Sequence, residues 1–112
     1  KAEINNEKFR EYKKISILFE INDSGLKDFL WERISPKAII LYGSYAKGES
    51  IESSDLDLFV IGREKKIDMG EYEKKLGVKI HLLFEEDIKK IPKELKNNLV
   101  NGIILKGYLK LF

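Results

Sequence analysis

The sequence predicts a mixed α/β fold of the α+β kind, with a small mixed sheet of about four strands flanked by helices. Two stretches near the start repeat their apolar residues with the period of a helix, and four later stretches are short apolar runs typical of strands. Glycine, proline and short polar turns separate these runs. The predicted order is α-α-β-turn-β-α-β-α-β, which is typical of a sheet with helices packed on it.

The first third of the chain predicts two helices within about residues 7–34. Over residues 7–21, large apolar side chains recur at three- and four-residue steps, at Phe9, Tyr12, Ile15 and Phe19. This spacing predicts an amphipathic helix with those four side chains on its apolar face. A polar break at residues 22–25 separates it from a second helical stripe, which extends from Leu26 to Ile34.

The later apolar runs predict the sheet. The run Ala38–Tyr42 lies between a proline and a glycine, which is typical of a strand buried on both faces. Gly77 is predicted to end a polar helix, and a proline is predicted near the first turn of another. The remaining elements are predicted as strands at residues 57–61, 78–84 and 103–105 and as helices at residues 67–76 and 92–100.

Composition narrows the function classes. The chain has 112 residues and a net charge of +2, so residues 1–112 are expected to form one domain, without the basic excess typical of nucleic-acid binding. It contains no cysteine, which excludes disulfides and thiolate metal sites. No apolar run is long enough to span a bilayer and no signal peptide opens the sequence, so a cytoplasmic protein without a membrane partner is expected. Because the sequence starts with Lys1 instead of Met, we expect it to be a fragment of a longer chain.

A glycine-rich turn follows the first predicted strand, with the sequence Gly43-Ser44-Tyr45-Ala46-Lys47-Gly48-Glu49. The two glycines allow close approach of a ligand to the backbone and a positive φ. Ser44 would begin a short helix, where free backbone N–H groups can hold phosphate oxygens, and Lys47 adds a positive charge. A P-loop is excluded because Glu49 follows the second glycine where a lysine is required. Taken alone, such a turn is also common as an ordinary connection between two secondary-structure elements, without a role in binding.

Two aspartates open the next predicted strand, within Ser54-Asp55-Leu56-Asp57-Leu58. Alternate residues of a strand point to the same face, so the carboxylates of Asp55 and Asp57 are expected to project together. Mg²⁺ is usually bound by one or two carboxylates together with the phosphates of a substrate, and this pair meets that requirement. The alternative is that Asp55 caps a turn and Asp57 is an ordinary strand residue facing solvent, although aspartate is disfavoured in strands.

The glycine turn and the paired aspartates together resemble the signature of the DNA polymerase beta-like nucleotidyltransferase superfamily, in particular its minimal nucleotidyltransferase branch. The resemblance implies a polymerase beta palm-like fold and transfer of a nucleoside monophosphate from a nucleoside triphosphate, with ATP as the favoured nucleotide, to a hydroxyl group. It implies Asp55 and Asp57 as catalytic ligands of Mg²⁺. It also implies that the nucleotide is contacted by Gly43, Ser44, Lys47 and Ser54.

The sequence departs from this family at one position. A third carboxylate is usual on the strand after the intervening helix, and the matching position here carries His81. Imidazole is a poor ligand for Mg²⁺ but could act as a general base in catalysis. The alternatives are a histidine without a role, and a site completed by Glu85 or Glu86, which follow within a few residues.

A second class of function stays open at this stage. Members of this branch often act with a partner helical protein, and some transfer AMP to a tyrosine of that partner. A degenerate relative would instead bind a nucleotide without transferring it, as a module of a DNA-binding regulator or of a two-protein toxin–antitoxin-like system. DNA would then be contacted through an upstream domain outside this sequence. The sequence does not identify the acceptor, the base preference or the oligomeric state.

Overall fold

The computed structural model describes residues 6–51 and 53–107, with side chains from residue 7 onward. Two helices come first, and strands and short helices then alternate to the end of the described chain. The helices are α1 (Asn6–Ser24), α2 (Leu26–Ile34), α3 (Ser44–Lys47), α4 (Gly70–Leu76) and α5 (Lys93–Val100), with a 3₁₀ turn at Ile88–Lys90. The strands are β1 (Ala38–Tyr42), β2 (Leu56–Ile61), β3 (Ile80–Glu85) and β4 (Ile103–Gly107).

The four strands form one mixed sheet in the order β3-β2-β1-β4. The central strand β1 is antiparallel to both of its neighbours, β2 and β4. β2 and β3 are parallel, and α4 lies in the connection between them. The predicted α+β class and the four-stranded mixed sheet are therefore confirmed. The short helix predicted to begin at Ser44 is present as a single turn, α3.

The core lies on both faces of this sheet. On one face, Ile39 and Leu41 of β1 and Leu58 of β2 pack against α1, α2 and α3. On the other face, Ile40 and Phe59 pack against Leu99 of α5 and the residues around the 3₁₀ turn. Because side chains alternate along a strand, β1 and β2 are apolar at nearly every position, as expected for strands covered on both sides.

The helix predicted over residues 7–21 is present as α1, but the apolar face that the sequence indicated is not the face that enters the core. Phe9, Tyr12, Ile15 and Phe19 are 54%, 67%, 67% and 68% exposed, whereas Ile17 and Ile21 are buried. α1 carries apolar residues on two faces, and periodicity alone does not say which face is buried. Contacts with α2, α3 and α4 select the face that contains Ile17 and Ile21.

The element boundaries differ from the predicted ones by a few residues. α1 continues to Ser24, and Gly25, with a φ of 81°, makes the break before α2. The helix predicted from residue 67 begins at Gly70, where Asp68 Oδ1 accepts a hydrogen bond from the Gly70 N–H. Among the described residues, no helix has the length and apolar character that crossing a bilayer requires.

Candidate functional site

The glycine turn leaves β1 at one end of the sheet. Gly43 has a φ of 78° and a ψ of −155°, and Gly48 has a φ of 70°. Residues with a Cβ rarely adopt such positive φ values, so both positions favour glycine. Between them, the Lys47 N–H donates to the Gly43 carbonyl at 3.3 Å and the Glu49 N–H donates to the Ser44 carbonyl at 2.9 Å. These bonds close the single turn of α3.

Helix α1 supports the turn from behind. The Gly48 backbone lies against the backbone of Arg10, and a Cβ at this glycine would overlap the Arg10 carbonyl. Lys13 Nζ donates a hydrogen bond of 2.6 Å to the Ser50 carbonyl, and Arg10 forms an ion pair of 3.8 Å with Glu49. The turn is therefore fixed to a long helix at its second half, while its first half faces the sheet.

Asp57 lies at the point where the turn meets the sheet. In the strand register, Asp57 of β2 is opposite Tyr42 of β1, the last residue before the glycine turn. A Cβ added to Gly43 would lie 2.6 Å from Asp57 Oδ2, so the carboxylate occupies the space that any other side chain would need. The antiparallel pairing of β1 and β2 thus brings the two predicted motifs into contact.

Asp55 and Ser54 precede β2. Asp55 is exposed, whereas the Asp57 side chain is only 30% exposed. Ser54 closes a tight turn, because its Oγ accepts a hydrogen bond from the Ile51 N–H at 2.9 Å and its own N–H donates to the Ile51 carbonyl at 2.9 Å. This position beside Asp55 is consistent with a ligand contact by Ser54, and it also gives Ser54 a role in holding the loop.

Burial raises the pKa of Asp57 above its ordinary value, and the neighbouring charge of Asp55 raises it further. The nearby imidazole of His81 acts in the opposite direction. The pKa of Tyr42 is also raised, first by burial and then by the negative charge of Asp57. The negative charge of Asp55 thus acts on the Asp57 carboxylate, and a cation bound beside Asp57 would offset this effect.

His81 stands next to Asp57 on the neighbouring strand. The parallel register of β2 and β3 pairs the two residues, and His81 Nδ1 is 3.6 Å from Asp57 Oδ1. Its side chain is 65% exposed, so the imidazole is accessible from solvent. The structure thus brings Gly43, which directly follows β1, and His81 of β3 next to Asp57 of β2.

Glu85 and Glu86 do not join this group. Glu85 is opposite Ile61 at the far end of β3, four residues or about 13 Å along the strand from His81. Glu85 Oε2 accepts a hydrogen bond from the Asp87 N–H, and Glu86 pairs with Arg63 at 3.4 Å. Completion of the site by one of these glutamates is therefore incompatible with the arrangement of β3.

A cleft of about 600 Å³ opens beside Asp55, between the loop before β2 and helix α4. It is lined by residues that include Ser53, Ser54, Asp55, Glu73 and Lys74. The sequence analysis did not identify Glu73 or Lys74, because neither belongs to a motif and the close approach of α4 to the loop is a tertiary contact. Glu73 Oε2 accepts a hydrogen bond from the Ile80 N–H at 2.8 Å, which ties α4 to the start of β3.

The side chains at this site could supply only some of the ligands that a divalent cation such as Mg²⁺ requires. Within residues 7–51 and 53–107, no cluster of three or more histidine, aspartate or glutamate side chains is arranged to hold a metal ion. Asp55 and Asp57 supply carboxylate oxygens, and an ion bound by two carboxylates usually takes its remaining ligands from water and substrate phosphates. The pair therefore fits an ion that arrives with a phosphate chain.

Comparison with known proteins agrees with this geometry. The family model described as a nucleotidyltransferase domain matches residues 24–106. Two proteins of Methanocaldococcus jannaschii with the provisional name of protein adenylyltransferase are each 33% identical to this chain, over 84 and 82 residues. Each alignment covers 66% of this chain and 84% of the relative.

Two solved structures share the fold. Both are toxin–antitoxin complexes, one with AMP-PNP and one of a variant in which two aspartates one residue apart are replaced by glutamate. Each has a TM-score of 0.54 and covers 76% of this chain and 73% of the matched chain, with 21% and 19% identity respectively. The family match extends from the end of α1 into β4 and includes the glycine turn, both aspartates and His81. The chain therefore belongs to the nucleotidyltransferase domain family and is a transferase.

Proposed function

We propose that this protein is a Mg²⁺-dependent adenylyltransferase that transfers AMP from ATP to a hydroxyl group of a protein. The names of the two archaeal relatives support AMP as the transferred group and a protein as the acceptor. The observation that carries the proposal is the contact between Gly43 and Asp57, which joins a phosphate-binding type of turn to a pair of carboxylates. The two structural neighbours are toxin–antitoxin complexes, which supports a partner protein as the acceptor.

In this proposal, different residues bind the metal ion, the phosphates and the rest of the substrate. Asp55 and Asp57 would hold Mg²⁺, which would neutralise phosphate charge and stabilise the charge that develops in the transition state. The backbone of Gly43 and Ser44, together with Lys47 at the end of α3, would hold the phosphate oxygens. The cleft beside Asp55 would take the nucleoside or the acceptor segment.

The proposed reaction is an in-line displacement at the α-phosphorus of ATP. The acceptor hydroxyl oxygen forms a bond to that phosphorus, and the bond between the phosphorus and the oxygen bridging to the β-phosphate breaks. The bonding electrons leave with that oxygen as pyrophosphate. The proton of the acceptor hydroxyl passes to His81, whose imidazole stands beside Asp57 and is exposed to an incoming acceptor.

The proposal is tested by incubating the protein with ATP labelled at the α-phosphate, Mg²⁺ and a candidate protein acceptor. Transfer of label to protein is expected for the wild type and not for Asp57→Asn. Asp28→Asn is the matched control, because it makes the same chemical change at an exposed carboxylate of α2. Equal labelling by the wild type and Asp57→Asn would contradict the proposal.

A second function is favoured by one observation. His81 replaces the third carboxylate of related enzymes, so the chain could bind ATP without transferring AMP, as a nucleotide-binding module of a DNA-binding regulator or a two-protein system. The labelling experiment together with calorimetry of MgATP binding separates the two functions. A binding module would retain MgATP in calorimetry, lose it in Asp57→Asn, and label no acceptor.

A further inference from the structure

A line of large apolar side chains covers the outer face of α1. Tyr12, Ile15 and Phe19 follow one another at steps of three and four residues, and Phe9 lies three residues before Tyr12. All four are more than half exposed, although residues of this type are normally buried. We call these four residues the α1 stripe. It lies on a different face of α1 from Ile17 and Ile21, which pack in the core.

The size of the α1 stripe indicates a binding surface. From their exposed fractions, the four side chains present on the order of 400–500 Å² of apolar surface. Contiguous patches of roughly 300–600 Å² are the largest found on typical monomers and often mark interaction sites. Two such surfaces facing each other would bury close to 1,000 Å², which is below the range of about 1,200–2,000 Å² for stable specific interfaces and within the range of weak, transient ones.

The charges at the two ends of the α1 stripe point to its occupant. Lys8 lies four residues before Tyr12, and Asp23 lies four residues after Phe19, so both are on the face of the stripe. Both side chains are exposed. The stripe is thus positive at its start and negative at its end, and Glu20 adds a further negative charge near the end.

This charge order is complementary to a second copy in the opposite orientation. In an antiparallel pair of α1 helices centred between Ile15 and Ser16, Tyr12 of one copy lies opposite Phe19 of the other. The same arrangement places Lys8 opposite Asp23 at both ends. A parallel pair would instead bring like charges together at each end. Antiparallel packing also aligns the two helix dipoles favourably.

We propose that the α1 stripe is the interface of a homodimer, in which α1 packs against α1 of a second copy in antiparallel orientation. The modest buried area predicts a weak dimer, with a dissociation constant of roughly micromolar or above. The interface needs no nucleotide, so the proposal stands independently of the transfer reaction.

Analytical ultracentrifugation over a range of protein concentrations tests the proposal. The wild type is expected to shift from monomer to dimer, and Phe19→Asp is expected to weaken dimerisation about 30-fold or more, as for a central interface residue. Val100→Asp is the matched control, because Val100 is an apolar residue of α5 that is 53% exposed. A wild type that stays monomeric at millimolar concentration, or a dimer unaffected by Phe19→Asp, would overturn the proposal.

Charge exchange tests the orientation. Lys8→Asp and Asp23→Lys should each weaken the dimer, and the double variant should restore it, since the opposite charges then meet again. The absence of cysteine from the chain allows a second test by oxidation of single-cysteine variants. Ser16→Cys, near the centre, should form disulfide-linked dimers. Asn22→Cys should not, because the two copies of residue 22 would lie about 20 Å apart along the helices. Efficient linkage through residue 22 would contradict antiparallel packing.

Discussion

The Gly43 backbone and the Asp57 carboxylate are in contact across β1 and β2, since a Cβ at Gly43 would lie 2.6 Å from Asp57 Oδ2. The first residue of the turn and the aspartate of the next strand therefore form one unit. The register that places Tyr42 opposite Asp57 fixes this contact. A change on either side should alter both the phosphate-binding turn and the proposed metal site.

Replacement of Gly43 by alanine should move Asp57 or the turn. The variant combines a strained positive φ with a direct clash, so we expect a loss of stability of about 1–3 kcal/mol. We also expect a fall in AMP transfer of about 10²-fold, as for a displacement of about 1 Å in an active site. Urea unfolding and the labelled-ATP assay measure the two effects.

Gly25→Ala is the control for this variant. Gly25 has a φ of 81°, and a Cβ there would meet no atom within 4 Å. It should therefore show the cost of backbone strain, about 1 kcal/mol, with unchanged transfer. If Gly43→Ala and Gly25→Ala lose transfer equally, the contact with Asp57 has no functional role.

Asp57→Asn should stabilise the protein at neutral pH while it abolishes transfer. The pKa of Asp57 is raised in the folded protein, so protonation of this carboxyl favours folding. That stability is fully present below the unfolded pKa of about 3.9 and is lost as the pH rises through the folded value. The neutral amide of asparagine does not ionise, so the variant does not lose this stability as the pH rises. The melting temperature of the variant should therefore exceed that of the wild type at pH 7 and approach it near pH 3.

Thermal unfolding in buffer with a chelator measures this difference, with Asp28→Asn as the variant that loses an exposed carboxylate on α2. A melting temperature of Asp57→Asn below that of the wild type at pH 7 would contradict the account of Asp57. Addition of Mg²⁺ and ATP should then raise the melting temperature of the wild type and of Asp28→Asn but not that of Asp57→Asn, because ligand binding stabilises the folded state.

His81 should affect the chemical step more than ATP binding. His81→Ala is expected to reduce transfer by about 10²–10⁴-fold, the usual contribution of a general base, with little change in MgATP affinity. His81→Asp should retain or increase transfer, because a carboxylate at this position can accept the proton and contact a cation. Single-turnover transfer and calorimetry separate the two effects. Unchanged transfer by His81→Ala would show that another group takes the proton.

The site and the fold were predictable from sequence to different degrees. Gly43 and Asp57 belong to motifs that are close in the sequence, at the end of β1 and in β2. Because these consecutive strands pair with each other, the contact between the two motifs could be predicted from the sequence. The position of His81 beside Asp57 depends on the crossover through α4 and on the register of β3, which only the resemblance indicated. Local sequence patterns could not have excluded Glu85, because the direction and register of β3 decide which of its residues lies beside Asp57.

The exposed face of α1 shows where periodicity fails. The steps at Phe9, Tyr12, Ile15 and Phe19 correctly predict a helix, but Ile17 and Ile21 supply the side chains that enter the core. Both sets satisfy the helical period, and the choice between them depends on contacts with residues far along the chain. Packing against α2, α3 and α4 makes that choice. The Gly48 backbone against Arg10 and the hydrogen bond from Lys13 to the Ser50 carbonyl add to it, and neither contact has a signature in the sequence of α1.

A crystal structure of the protein with Mg²⁺ and a non-hydrolysable ATP analogue would show whether the glycine turn and the two aspartates form one binding site for MgATP. We expect an ion bound by the carboxylates of both Asp55 and Asp57, with phosphate oxygens against the backbone of Gly43 and Ser44 and near Lys47. His81 should face the α-phosphorus from the side open to an acceptor. An ion held elsewhere, or a triphosphate bound away from the glycine turn and Asp57, would contradict the account.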